Sequence, residues 1–318
     1  MRTMKYESRA DWLADRSLGI GSSDAAGIMG MSQYSSPLKV WLEKTGTYVE
    51  DVDNRFTKAG RFLETPIAEW FKQETGLDVE MARDFLGADH FTCVHPEHDF
   101  IRATPDGWVV LEGGDGLKLL GRDIRGRGLL EIKNTSTYKS QDWDERVPPM
   151  VYCQVQQQML VCEAKWAFVA VLIGGNELRW FFVEADEEMQ GDMVAKQVVF
   201  WNDYVLTKTQ PPATSEIDKQ YLAILYPEEE KGKEIHLSAA AADLDDEILL
   251  AQARIKADEA LIADNKTKII EEMGRADTGI LPDGTKYTHK TQSRKGYVRE
   301  VKQWSGRVLR RIKRKKNA

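Results

Sequence analysis

"LLEIKNTS", residues 129–136, sets an acid and a base two positions apart inside an apolar run. Side chains alternate along a strand, so Glu131 and Lys133 share a face with Leu129, while Leu130 and Ile132 turn to the other. A charge in a core is costly unless it is paired, hydrogen-bonded or bound to a metal. For an isolated pair the simplest meaning is a salt bridge at a strand end. The sequence on either side decides whether it is more.

Upstream, "ATPDGWV" (103–109) carries Asp106, 25 residues before Glu131, on the neighbouring strand or its turn. Two carboxylates converging from adjacent strands suit a hard divalent cation, Mg²⁺ above all and Mn²⁺ in its place. The backbone carbonyl of Ile132 would lie between them as a third ligand. Lys133 beside such an ion can orient or deprotonate a water and stabilise charge on a phosphate. Together "PD" at 105–106 and "EIK" at 131–133 resemble the signature of the PD-(D/E)xK nucleases.

The flanking chain reads as helices, then antiparallel strands, a central helix, more strands and a last helix. A helix over 8–18 has Ser8 as its cap, a second spans about 36–46, and a third near 57–75 closes at Gly76. Short β-type runs follow in "DVEMARDFL", "FTCVHP" and "FIRATPDGWVVLE", and a glycine-rich loop covers 113–128. "VPPMVYCQVQQQMLVCEA" starts a helix with prolines, "WAFVAVLIGG" is a buried strand with "LRWFFVEA" as its hairpin partner, and 187–208 is helical. The expectation is an α/β (α+β) core with a mixed central sheet flanked by helices, not a doubly wound nucleotide fold. "TQPPAT" at 209–214 suggests a boundary, giving a domain over 1–210, a connecting segment over 211–237 and an extension over 238–318. That extension opens with a long helix in which Ile248, Ile255, Ile262 and Ile269 recur every seven residues, with Asp258 and Asn265 interrupting the second row. The seam implies helix-on-helix packing within the subunit or between subunits. A β-hairpin with a DG turn follows.

Further motifs carry a closer resemblance. "RSLGIGSSDAAGIMGMSQYSSPLKVWLEKTG" (16–46), "GRFLETPIAEWF" (60–71) and "YCQVQQQMLV" (152–161) resemble, in order, segments of the YqaJ-like viral recombinases, the group that includes lambda exonuclease. The resemblance covers roughly residues 8–205 and implies a restriction-endonuclease-like PD-(D/E)xK core. It implies Asp106 and Glu131 as metal ligands, Lys133 as the catalytic lysine, Glu64 as a further ligand or holder of its water, and Gln154 as the residue orienting the lysine or the scissile phosphate. Arg16 and Ser23, seven residues apart, would hold a phosphate, the 5′ end of the cut strand, helped by Ser22 and the backbone of Gly21. Blander roles stand beside these: Arg16 pairing with Asp11 or Asp15, Ser23 or Asp24 only capping a helix, Glu64 on a solvated face. In the glutamine run Gln154, Gln156, Gln157, Gln158, one functional member is expected.

Composition sets outer limits. The 318 residues are 42% hydrophobic with a net charge of −7, enough for one sizeable core and an appendage. No apolar stretch is long enough for a membrane span, so a soluble, cytoplasmic protein of a bacterial or phage-infected cell is expected. Three cysteines without CxxC spacing argue against a disulfide framework or a zinc or iron–sulfur site, and His90, His95 and His98 lack the company a zinc site needs. From Arg294 to Ala318 the only acid is Glu300, a basic end suited to a polyanion. The resulting expectation is a Mg²⁺-dependent DNA exonuclease of phage recombination, resecting duplex ends 5′→3′ for a single-strand annealing protein, homo-oligomeric and by resemblance a trimer. An endonuclease on branched or internal DNA and a non-catalytic DNA-binding recombination factor are the alternatives.

Overall fold

The structure, a computed structural model, describes residues 2–49, 54–112, 121, 124–293, 295, 309 and 311. The chain divides into two compact units, Met1–Leu225 and Tyr226–Ala318.

In the first unit, β1 (Arg2–Lys5) leads into α1 (Arg9–Arg16), where the Ser8 hydroxyl accepts the Asp11 N–H at 3.2 Å. α2 (Ser22–Ile28) and α3 (Pro37–Lys44) follow; Ser36 caps α3 and Pro37 opens it, the position where a missing N–H costs nothing. α4 (Arg55–Thr75) ends at Gly76, whose φ of 69° is the left-handed conformation that glycine adopts without strain. The β-type run at 78–86, expected as strand, splits into β2 (Asp78–Met81) and a short α5 (Ala82–Leu86). Gly87, at φ 61°, closes that turn, and the Asp106 carbonyl takes the Ala82 N–H at 2.9 Å.

β3 (Phe91–Val94), β4 (Arg102–Ala103), β5 (Gly107–Leu111) and β6 (Gly126–Thr135) precede a 3₁₀ stretch, Thr137–Trp143. Then come α6 (Pro149–Cys162), β7 (Trp166–Ile173), β8 (Glu177–Glu184), α7 (Glu187–Phe200) running into a π-helical turn at Trp201–Val205, and α8 (Asp218–Leu225). The main sheet has the order β2-β5-β6-β7-β8, and β1-β3-β4 form a second sheet. Only β6 and β7 pair in parallel within the main sheet, and α6 is the crossover joining them. The alternation read from "LLEIK" holds: Leu129 packs with Val151, Val155 and Met159 of α6, while Leu130 and Ile132 pack with Ile67, Ala68 and Phe71 of α4. The core is the expected mixed sheet between helices.

Residues 211–225, expected as connecting chain, belong to this unit. Asp218 is buried, accepting the Ser36 hydroxyl and the Thr214 N–H, and Tyr221 meets Tyr48 edge-on at 5.7 Å.

The second unit holds α9 (Ala239–Met273) and a hairpin of β9 (Thr278–Ile280) and β10 (Lys286–Thr288), turning through Gly284 at φ 87°. No described residue of α9 is buried, and Ile248, Ile255 and Ile262 stay 50–57% exposed, so packing of the seam within the subunit is not formed among the described residues. Most of the glycine-rich loop and the basic end lies outside the described residues. Among those described, no helix is long and apolar enough to cross a membrane.

Candidate active site

β5 and β6 stop pairing at Gly107 and Leu130, yet β6 runs on to Thr135. The Ile132 N–H therefore reaches an edge with no strand beside it, and the Asp106 carboxylate takes it at 2.7 Å. N–H and C=O of one strand residue point to the same edge, so the Ile132 carbonyl faces that gap too. Glu131, 2% exposed, turns towards α6. Its Oε1 accepts from Gln154 Nε2 at 2.7 Å and from Lys133 Nζ at 2.5 Å, and its Oε2 accepts from Gln158 Nε2 at 2.6 Å. Lys133 Nζ also donates to Gln154 Oε1 at 2.9 Å, so one amide spans acid and base.

Electrostatics bind these groups into one cluster. Burial, then the neighbouring Glu131 and Glu64, push the Asp106 carboxyl well above the usual carboxylate range. Glu64, reaching in from α4, is raised chiefly by burial, with Glu131 adding to it. Burial works against the Lys133 charge, but Glu131, Asp106 and Glu64 outweigh it and hold the ammonium above the ordinary lysine range. With every group ionised, three carboxylates face one ammonium, a net of two negative charges. That matches the charge and oxygen donors a Mg²⁺ or Mn²⁺ ion requires. Among the described residues no three His, Cys, Asp or Glu side chains form a ready-made ligand group. The oxygens that could be offered to a cation are the carboxylates of Asp106 and Glu131 and the Ile132 carbonyl, with Glu64 nearby. A cation with this few protein ligands completes its shell from water and phosphate, as Mg²⁺ commonly does.

A cleft of about 660 Å³ joins this cluster to the N-terminal turn, lined by Asp106, Glu64, Gln154, Arg16, Ser22 and Ser23. Arg9, Arg61, Arg83 and Arg102 add guanidinium groups to its walls. Arg16 Nη2 donates to Ser23 Oγ at 3.4 Å, and its guanidinium lies over Trp12 at 5.1 Å. It does not pair with Asp15, which is held by Arg102 and the Tyr6 hydroxyl. Two details of the expected pocket change. Gly21, not Ser23, caps α2, and the Gly21 N–H is taken by the Asp24 carboxylate at 2.9 Å, so that donor is not open to a ligand. Asp24 in turn meets Lys44 at 2.6 Å; burial opposes its charge, and Lys44 and Arg16 together hold it below the usual aspartate range.

Residues 11–165 match the YqaJ-like viral recombinase domain. The chain is 32% identical over 279 residues to YqaJ of Bacillus subtilis, covering 86% of this chain and 81% of that protein. The chain belongs to the YqaJ-like viral recombinase family. A second relative, from Acanthamoeba polyphaga mimivirus, is 27% identical over 166 residues, which span 50% of this chain and 28% of that protein. Among solved structures, an alkaline exonuclease of Laribacter hongkongensis aligns with 68% of this chain and 100% of its own, at 18% identity and a TM-score of 0.48.

In this YqaJ-like protein two members of the glutamine run, Gln154 and Gln158, bond Glu131. Gln158 lies one helical turn beyond Gln154, on the same face, and grips the second oxygen of Glu131. Gln156 bonds the Glu184 carbonyl and the Asp186 N–H, at 2.8 and 2.9 Å, and Gln157 reaches the Ile20 carbonyl. The i, i+4 spacing was the available signal for Gln158; nothing local distinguished the other two. The histidines are structural: His95 Nδ1 accepts the backbone N–H groups of Glu97 and His98, and His90 stacks on Trp12. Trp143 and Trp166 lie in the core, whereas Tyr138 is 97% exposed.

Proposed function

We propose that this protein is a divalent-cation-dependent deoxyribonuclease that resects duplex DNA ends 5′→3′, leaving a strand for an annealing protein to pair. One observation carries the reading: a single cleft is lined by Asp106, Glu64 and Gln154, the last bonded to both Glu131 and Lys133, with arginines along its walls. A structural salt bridge has no use for an arginine-walled approach, and a phosphate-binding groove has no use for carboxylates at its base. Membership of a viral recombinase family supports a role in DNA recombination.

Bound Mg²⁺ or Mn²⁺ supplies Lewis-acid polarisation of phosphate oxygen and eases deprotonation of water. Asp106, Glu131 and the Ile132 carbonyl would hold it. Gln154 and Gln158 fix the Glu131 carboxylate from two sides, so its orientation costs no rearrangement during reaction. Lys133, kept as an ammonium and held by Gln154 and Glu131, would stabilise charge on the phosphate as water attacks phosphorus and the P–O3′ bond breaks. In this role Lys133 orients rather than removes a proton. Arg16 and Ser23 receive the 5′-phosphate of the strand being shortened.

The test uses linear duplex labelled at a 5′-phosphate beside covalently closed circles, with Mg²⁺, with EDTA and with Lys133→Ala. Label lost from linear DNA alone, and only with Mg²⁺ and Lys133, is the expected result. Nicking of the circles would replace end resection with endonucleolytic cutting; binding without cleavage of either substrate would refute the nuclease reading.

A further inference from the structure

α6 is tied to both halves of the cleft through consecutive side chains. Gln158 holds Glu131, while Gln157, fully buried, points to another face of the helix. The Gln157 Nε2 donates to the carbonyls of Ile20 and Arg102, both at 2.9 Å, and its Oε1 accepts from Gln197 Nε2 of α7 at 2.9 Å. Both amide hydrogens and the amide oxygen are used.

Ile20 is the last residue before the turn that carries Gly21, Ser22 and Ser23. Its N–H bonds the Phe100 carbonyl at 2.6 Å, and its carbonyl also accepts the Arg102 N–H at 2.9 Å. Gly19, beside it, has no room for a side chain: a Cβ there would lie 2.5 Å from the Arg102 side chain and 2.9 Å from the Phe100 oxygen. The turn is pressed against β4 and clamped from beneath by one glutamine. An apolar residue of the same volume would take this partner from the Ile20 and Arg102 carbonyls and from the Gln197 amide, so the amide satisfies buried groups as well. What the amide adds is a fixed relation between the Arg16–Ser23 pocket and the carboxylates, because a helix is rigid between adjacent residues.

We infer that Gln157 is a positioning residue that sets the 5′-phosphate pocket at a fixed distance from the cleaved bond, and so gives the enzyme its preference for a 5′-phosphorylated end. The inference rests on the proposed nuclease reading. A shift of the turn by about 1 Å is enough to cost roughly a hundredfold in a positioned reaction.

The experiment compares 5′-phosphorylated and 5′-hydroxyl duplexes for cleavage with Mg²⁺, and for binding by anisotropy with Ca²⁺ in its place. Gln157→Met, which keeps length and volume, is expected to reduce the preference for the phosphorylated end about ten- to a hundredfold. The change should fall on KM for that end more than on kcat, with Ca²⁺ affinity by calorimetry unmoved. Gln158→Met should do the reverse, weakening Ca²⁺ binding and kcat while the end preference persists. Should Gln157→Met unfold, Gln197→Met removes the donor to the Gln157 oxygen and is expected to shift the preference in the same direction. A preference unchanged in the folded variant overturns the inference, as does wild-type protein that cuts both ends equally. Wild-type protein that favours phosphorylated ends in binding but cuts neither contradicts the nuclease reading instead, and the binding ratio of the variants still decides the role of Gln157.

Discussion

At the scale of single residues, Asp106 carries the tension of the site. It is buried beside Glu131 and Glu64, and its carboxyl is raised well above the usual range for that reason. A raised carboxyl keeps in the folded state a proton that the unfolded chain has already released. Its contribution to stability is therefore whole below the ordinary aspartate range and is lost as pH rises through the raised value. Thermal melts in EDTA should accordingly show Asp106→Asn more stable than wild type at about pH 8, with the gap closing in acid. The asparagine can still accept the Ile132 N–H, so the gain is one of charge, not of hydrogen bonding. The same variant should lose cleavage, as should Glu131→Gln, by at least about a hundredfold in kcat. Asp106, Glu131 and Lys133 were legible in the sequence because their spacing matches strand geometry. Gln158 was legible only through its i, i+4 relation to Gln154, and Gln157 was not, since nothing local says what its face of the helix will meet.

At the scale of elements, the strands were the most readable part of the chain. β7 is a continuous apolar run and formed where expected, and β6 formed over 129–135 as expected but starts at Gly126, within the stretch expected as loop. The short α5 was missed because its five residues carry no helical period, and what shapes it is the glycine after it and a carbonyl from the β5 turn. The close fit between β6 and β7 gives a test of the sheet itself. A Cβ on Gly128 would meet the Trp166 ring at 2.0–2.3 Å, inside the core. Gly128→Ala should lower stability by about 1–3 kcal/mol in urea unfolding, with m unchanged if the fold persists. Placed three strand positions before Glu131 and on the opposite face, it should leave cleavage per folded molecule intact.

At the scale of the whole molecule, the hydrophobic clusters of buried residues all lie within Met1–Leu225, and residues 226–237 are exposed. Limited proteolysis should cut within that exposed stretch first and leave a fragment of about 225 residues that still melts cooperatively. A cut near 210 in preference would contradict the packing of Asp218 and Tyr221 on α3 and Tyr48. Here the sequence misled in a specific way: two prolines at 211–212 resemble a linker, but the chain after them returns to the core. The heptad seam of α9 was legible as a pattern, while its partner was not, because spacing alone does not say which surface meets it.

Cleavage and binding read together on one duplex test the central claim most directly. Wild-type protein, Lys133→Ala and Glu131→Gln would each be titrated with Mg²⁺ on a 5′-phosphorylated linear duplex, with DNA binding measured in parallel with Ca²⁺. The arginine-walled cleft and the carboxylate–lysine cluster that meets it at Asp106, Glu64 and Gln154 predict that all three bind DNA to a similar degree and that only the wild type cuts, in proportion to Mg²⁺. Variants that cut as the wild type does, or a wild type that binds and never cuts at any Mg²⁺ concentration, would contradict it.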